Sequence, residues 1–325
     1  MADMGVLVRA AGGPEALEWT DLHTPPPGPG EVRIVQRAVG VNFIDTYYRS
    51  GLYPWPTTPL IPGAEASGMV EDVGPGVSGL KAGDRVAYTM PLGAYRTRRV
   101  LPADRLVALP ESISFETAAS VMLKGLTAQF LLRSCFAVRE GHTVLVHAAA
   151  GGVGLLLGQW LKLLGATAIG TVGSVDKVAT AKANGYAYAI NNSAEDFTAR
   201  VLEITAGERC DVVYDSVGND TWRGSLKCLK LRGTFVSFGQ SSGPIADFKI
   251  LDLASAGSLF ASRPMLFDYI KTPQELKLRA DDLFARLAAG EIKAHVGKTL
   301  PLCDAAAAHR ALASRLTMGS TVLLP

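Results

Sequence analysis

The residues best placed by type and spacing to do chemistry are His147-Ala148-Ala149-Ala150-Gly151-Gly152-Val153-Gly154. They follow an apolar run at 143–146 and open a helical pattern over 153–164. Set against G-x-G-x-x-G, the cluster reads Ala149-x-Gly151-x-x-Gly154, with alanine in the first place. The second glycine of that pattern lets backbone approach a pyrophosphate, and the third lets the helix pack close to the strand. The helix N-terminus then offers free N–H groups and a positive dipole end to the phosphates. A strand–turn–helix setting followed by further βα units points to a dinucleotide site, with Gly152 where the helix begins beneath the pyrophosphate.

The group that reads the ribose is expected about 20 residues further on, at the end of the second strand. The chain there runs Val172-Gly173-Ser174-Val175-Asp176-Lys177. No acid stands directly at the strand end to hold a 2′-hydroxyl and repel a 2′-phosphate. Ser174 leaves room, and Lys177 brings charge for a phosphate, which favours NADPH. The alternative keeps Lys177 as a solvated helix residue and makes Asp176 the ribose acid. A second pattern, Gly239-Gln240-Ser241-Ser242-Gly243, matches the G-x-S-x-G elbow of serine hydrolases, with Asp247 or Asp252 and His295 or His309 in the right chain order. No clear helical stripe follows it, as such an elbow requires. The five histidines show no metal-ligand spacing, and His147 reads as a core or supporting residue.

The elements that must position these residues have two textures. Residues 1 to about 120 read as short strands between Gly and Pro turns, as in a small barrel or sandwich. From about 123, strands alternate with helices, the pattern of a parallel sheet covered on both faces. Within that series a helix is expected from about Ala194, with Ser193 as its N-cap. Residues 274–290 read as an amphipathic helix ended by Gly290, and 319–324 as a last strand returning to the first domain.

Composition narrows the function classes. With 325 residues, about two domains are expected, and 48% hydrophobic against 19% charged residues rules out general disorder. A net charge of +2 with no basic run argues against nucleic acid as a partner. Four scattered cysteines without a C-x-x-C fit reduced thiols in a cytoplasmic protein. No signal peptide is read, and the most apolar stretch, 155–172, is too interrupted to span a membrane.

Gly141-His142-x-x-Leu145-x-x-x-Ala149-Ala150-Gly151-Gly152-x-Gly154-x-x-x-x-Gln159-x-x-Lys162 resembles the signature of the quinone oxidoreductase and zeta-crystallin branch of the medium-chain dehydrogenase/reductases. Val41-Asn42-Phe43-Ile44-Asp45-Thr46-Tyr47, Lys81-Ala82-Gly83-Asp84-Arg85-Val86 and Tyr214-Asp215-Ser216-Val217-Gly218 are similar to the same branch, so the likeness runs along nearly the whole chain. It implies an α/β protein: a Rossmann doubly wound parallel sheet (124–264) plus a GroES-like β-rich catalytic domain (1–123 and 265–325). It also implies NADPH, bound in a cleft between the domains, and a homodimer. Carried over by position, the cofactor contacts are Asn42, Asp45, Thr127, Gly151, Gly152, Val153, Gly154, Ser174, Lys177, Val217, Phe238, Gly239, Arg263 and Arg315. Asn192 stands where close relatives have tyrosine, which softens the expected NADPH preference.

Zinc-dependent relatives in this superfamily ligate catalytic zinc from positions that here look like Asn42 and Ala64, and Glu65 alone cannot hold the metal. No metal is therefore expected. Quinones and activated alkenes accept hydride without a Lewis acid, because delocalisation spreads the developing charge. The protein then supplies orientation, dryness and one donor. Candidate catalytic residues are Tyr47, Tyr53 and Lys124, with Thr127 beside them, although two tyrosines in a barrel and a surface lysine would look the same. No strong acid–base pair is visible. The expected activity is NADPH-dependent quinone reduction, with reduction of α,β-unsaturated carbonyls as the alternative. Outside that class stand the serine hydrolase and an RNA-binding or crystallin-like structural role.

Overall fold

The computed structural model describes residues 3–314 and 317–325, and the chain divides into two units. The first comprises the described residues up to Leu126, Ile270–Gly290 and those from Ala294 on; the second is Thr127–Tyr269 with Glu291–Lys293.

The first unit opens with β1 (Met4–Leu7), β2 (Glu18–Asp21) and the long β3 (Glu31–Val41). Helix α1 (Phe43–Arg49) follows, then β4 (Glu65–Val73), β5 (Arg85–Thr89), β6 (Arg98–Pro102), β7 (Val107–Ala108) and α2 (Phe115–Phe130). Strand β3 alternates, burying Val32, Ile34 and Ala38, as a two-residue period requires. The buried Gln36 on that face is fully occupied. Its Nε2 donates to the carbonyls of Ala94 (2.7 Å) and Arg96 (2.6 Å), and its Oε1 accepts from Tyr88 Oη (2.6 Å).

The second unit alternates strictly: β8 (Thr143–Val146), α3 (Gly152–Leu163), β9 (Thr167–Val172), α4 (Val175–Ala183), β10 (Tyr188–Asn191), α5 (Phe197–Ile204), β11 (Cys210–Asp215), α6 (Trp222–Lys227), β12 (Leu229–Ser237), α7 (Ile250–Ser255) and β13 (Phe260–Ser262). A short helix, α8 (Leu266–Tyr269), ends it. All strand pairs are parallel, in the order β10-β9-β8-β11-β12-β13. The chain runs outward through β9 and β10, then returns to lay β11 on the other side of β8. That reversal is the switch point of a Rossmann sheet, where ligands bind beyond the strands' C-terminal ends. Leu145, Ile169, Val213 and Phe235 pack with Val201, Trp222 and Leu226 into one of its cores.

The chain then re-enters the first unit through α9 (Pro273–Ala288), β14 (Val296–Pro301), α10 (Ala305–Ala313) and β15 (Ser320–Leu324). Helix α9 starts with Thr272 accepting from the Glu275 N–H at 3.2 Å, and Gly290 follows it at φ 71°. Strand β15 pairs antiparallel with β3, giving a sheet of order β14-β15-β3-β4-β5-β7, with β6 also on β3.

One expected element is displaced. The helix expected from Ala194 begins at Phe197, and its N-cap is Asp196, whose carboxylate accepts from the Thr198 N–H at 2.9 Å. Ser193 does not cap it. Its hydroxyl donates to Gly173 O (2.7 Å), while Asn191 O accepts from the N–H groups of Ala194 and Glu195. Residues 192–195 are thereby spent on a turn that ties β10 to the loop after β9.

Candidate active site

Every second-unit position expected to touch the dinucleotide, Thr127 apart, falls in the turns beyond β8 to β13 or in the helices that open from them. Gly151, Gly152, Val153 and Gly154 follow β8; Ser174 and Lys177 follow β9; Asn192 follows β10. Val217 follows β11, Phe238 and Gly239 follow β12, and Arg263 follows β13. Parallel pairing alone therefore brings these loops to one edge. Thr127, within α2, is buried at the start of this unit, and Arg315 lies outside the described residues.

The local geometry at this edge fits a dinucleotide. Gly151 is the N-cap of α3 and has no side chain to cap it, which leaves first-turn N–H groups for an anion. A Cβ at Gly151 would meet only Ala148 O at 3.1 Å, whereas one at Gly154 would lie 2.4 Å from Ala148 O and 2.7 Å from Ala149 O. The outer glycine thus leaves space above the turn, and the inner one lets helix and strand touch. Ser174 is the N-cap of α4 but makes no capping bond with its side chain. Lys177, one turn on, is partly buried, and burial draws its ammonium below the usual lysine range. Asn192 is exposed, with its N–H on Val172 O at 3.0 Å. Val217 is held by its N–H on Asp215 Oδ1 at 2.8 Å, and the N–H of Phe238 by Asp215 O at 2.8 Å.

The G-x-S-x-G stretch belongs to the same edge and makes no elbow. Ser241 and Ser242 donate their N–H groups to Ser216 O and Val217 O, and no helix begins until Ile250. Asp247 pairs with Arg223 at 3.3 Å, and the Asp252 carboxylate accepts the N–H of Lys249 at the start of α7. His309 is committed to neighbours in its own unit, described below.

In the first unit, the residues expected in place of metal ligands form a hydrogen-bonded cluster around Glu65. This carboxylate has no exposed surface. Its Oε1 accepts from Asn42 Nδ2 (2.8 Å) and from Lys124 Nζ; its Oε2 accepts from the Leu123 N–H (2.6 Å). Gly40, opposite Glu65 across β3 and β4, makes room: a Cβ there would lie 2.3 Å from Glu65 Oε1. Ala64 offers only a methyl group. Glu65 is thus committed to nitrogen donors, and the arrangement does not fit zinc. Among the described residues no group of His, Cys, Asp or Glu could hold a metal ion. Lys124 is not on the surface, as its alternative reading required. It is 6% exposed, so its ammonium is a fixed charge in a largely dry setting. Tyr47 and Tyr53 are half-buried neighbours, ring centroids 5.3 Å apart, with Tyr48 edge-on to Tyr53.

Sequence reasoning missed one chain of contacts entirely. Asp45, expected as a cofactor contact, is completely buried. Its Oδ2 accepts from the Asn42 N–H (2.9 Å) and from Tyr95 Oη (3.1 Å), while Oδ1 has no partner. Tyr95 Oη also meets His309 Nε2 (3.0 Å), and His309 Nδ1 meets Arg49 Nη1 (3.1 Å). A guanidinium can only donate, so Nδ1 accepts, Nε2 carries the proton, and Tyr95 donates onward to Asp45. Donation runs one way, from Arg49 to the Asp45 carboxylate, fixing α1 and therefore Asn42. Burial raises Asp45 to about 7, helped by the nearby Glu65 carboxylate. Burial and Arg49 together lower His309 to about 3.

The chain resembles proteins of known activity throughout. Residues 28–111 match the alcohol dehydrogenase GroES-like domain, and 152–267 the zinc-binding dehydrogenase family. The chain is 52% identical over 317 residues to a quinone oxidoreductase of Pseudomonas aeruginosa, covering 97% of this chain and 98% of that one. It is 43% identical over 330 residues to a 2-haloacrylate reductase of Burkholderia, covering 99% of each. The solved structure of Escherichia coli quinone oxidoreductase complexed with NADPH superposes with a TM-score of 0.97 at 46% identity, covering 99% of this chain and all of that one.

Asp45 makes stability depend on pH. Its folded value lies above the unfolded one of 3.8, so folding favours the protonated form, and stability is lost as pH rises from about 4 through about 7. Asp45→Asn removes that loss. In urea unfolding, the stability of the variant relative to wild type should rise by roughly 1–3 kcal/mol between pH 5 and pH 8. A difference that does not change with pH would contradict the account.

Proposed function

We propose, because this chain belongs to the quinone oxidoreductase family of the medium-chain dehydrogenase/reductases, that it reduces quinones with NADPH and uses no catalytic metal. The observation that supports this most is the Glu65 cluster, in which the Lys124 ammonium and the Asn42 amide take up the carboxylate while Ala64 offers only a methyl group.

NADPH, when bound, supplies a hydride. The protein's part is to bind, orient and exclude water. In this reading the turn at Gly151–Gly154 receives the pyrophosphate, Ser174 and Lys177 grip the 2′-phosphate, and Val217, Phe238, Gly239 and Arg263 hold the remainder. Asn42 and Thr127 would complete the set. Asp45 acts from behind, through Asn42. Lys124, held by Glu65, keeps a proton at Nζ in a poorly hydrated setting, where its charge stabilises a developing oxyanion far better than in water. Tyr47 and Tyr53 offer aromatic faces to a flat acceptor.

A second reading, reduction of an activated carbon–carbon double bond, is favoured by the 43% identity to a 2-haloacrylate reductase. Steady-state assays with NADPH and a panel of benzoquinones, naphthoquinones and short unsaturated carboxylates separate the two. The first reading expects kcat/KM for the quinones to exceed that for unsaturated acids, and the reverse order would overturn it. The protein is further read as a cytoplasmic homodimer. Strand β13 is the free edge of the parallel sheet, with Phe260 64% exposed, and an open edge is a template for a second copy. A monomer by sedimentation would refute that assembly.

Lys177 tests the cofactor. A charge-assisted contact is worth about 1.5–3 kcal/mol, or about 10- to 150-fold in affinity. Lys177→Ala should weaken NADPH by that factor and leave NADH nearly unchanged. Equal losses for both cofactors would show that Lys177 does not read the 2′-phosphate.

A further inference from the structure

Directly beneath the glycine turn lies a buried polar network to which the reading above gives no part. His147 is the residue after β8, 1% exposed. Its Nδ1 lies 2.9 Å from Thr171 Oγ1, and its Nε2 lies 2.9 Å from Ser225 Oγ. The Ser225 hydroxyl has two acceptors, Asp215 Oδ2 and Thr221 O, each at 3.0 Å, so its oxygen is left to accept a proton from Nε2. Nδ1 then accepts from the Thr171 hydroxyl, and both ring nitrogens of a neutral imidazole are satisfied. Asp215 has no exposed surface. It accepts Thr221 Oγ1 on Oδ2 (2.7 Å), and the N–H groups of Val217 (2.8 Å) and Gly218 (3.0 Å) on Oδ1.

One imidazole therefore joins the end of β8 to β9 and α6, and through Ser225 to the carboxylate that shapes the loop after β11. The residue it precedes is unusual. Ala148 has φ 54°, a left-handed conformation that its Cβ disfavours and that glycine adopts freely. Such a conformation persists only where the surroundings over-determine it. Here the surroundings are the His147 ring, the His147 N–H on Tyr214 O (3.0 Å) and the Ala149 N–H on Thr171 O (2.9 Å).

We propose that His147 is a positioning residue for the dinucleotide: wedged between Thr171 and Ser225, its ring keeps Ala148 left-handed and so aims the N–H groups of the glycine turn. Through Ser225 and Asp215 the same ring sets the Val217–Gly218 backbone, so both ends of the site are fixed as one body. The proposal rests on the NADPH reading above.

The test is a suppressor experiment on NADPH affinity, measured by calorimetric titration where circular dichroism shows every variant folded. His147→Ala should weaken NADPH about tenfold, the worth of a buried hydrogen bond or slightly more. Ala148→Gly alone should change it less than about twofold, since glycine takes the same φ without help. The double variant should recover to within about threefold of wild type, because glycine no longer needs the anchor. Thr171→Val, which keeps shape and removes only the donor to Nδ1, should show a milder loss that Ala148→Gly also reverses. It decides the matter should His147→Ala not fold. Two results would overturn the proposal: variants that melt lower yet bind NADPH like wild type, or losses that Ala148→Gly does not restore. A wild-type protein that binds no NADPH would instead fail the cofactor reading, and the proposal with it.

Discussion

A carboxylate with no exposed surface must be met by donors, and in this protein the first unit is arranged around meeting one. Glu65 draws in Asn42 from the start of α1, the Leu123 N–H and Lys124 from α2, and needs Gly40 on the adjacent strand. Each partner then acquires a fixed place. Lys124 becomes a buried charge rather than a solvated one. Asn42 caps α1 while Asp45 holds its N–H, and Asp45 is held in turn by Tyr95, His309 and Arg49. Removing the carboxylate would leave a buried ammonium unpaired, which costs more than the pair contributes.

The second unit solves a different problem with the same economy. A parallel sheet delivers all its loops to one edge, and that edge collects helix N-termini and their unpaired N–H groups. Asp215 and His147 lie fully buried at that edge and cross-link the loops to one another. Rigid support of this kind matters for hydride transfer, where orientation supplies much of the rate.

What could be read from the sequence follows from range. The glycine turn, the strand ends and the βα rhythm are patterns within a dozen residues, and Ser174 and Lys177 stand out as candidates because they follow a strand end, whereas Val217 and Phe238 enter only through the family resemblance. The absence of ligating types at Asn42 and Ala64 was legible from residue identity. The partners of Glu65 were not, since Asn42 and Lys124 are 23 and 59 residues away. Nor was the pairing of Arg49 with His309, 260 residues apart, or the burial of Asp45. Ser193 misled because a serine before a helical stripe reads as a cap, whereas its hydroxyl is bonded to a neighbouring loop. His147 reads as a supporting residue from sequence, but what it supports appears only with Thr171 and Ser225 in place.

A Glu65 carboxylate taken up by lysine and asparagine implies turnover without a metal. Turnover of NADPH with a quinone by protein dialysed exhaustively against a strong chelator, with metal content measured on the same sample, tests it most directly. Turnover should be undiminished at a zinc content far below one per chain. Stoichiometric zinc in the untreated protein, lost in step with activity and restored by adding zinc back, would contradict it.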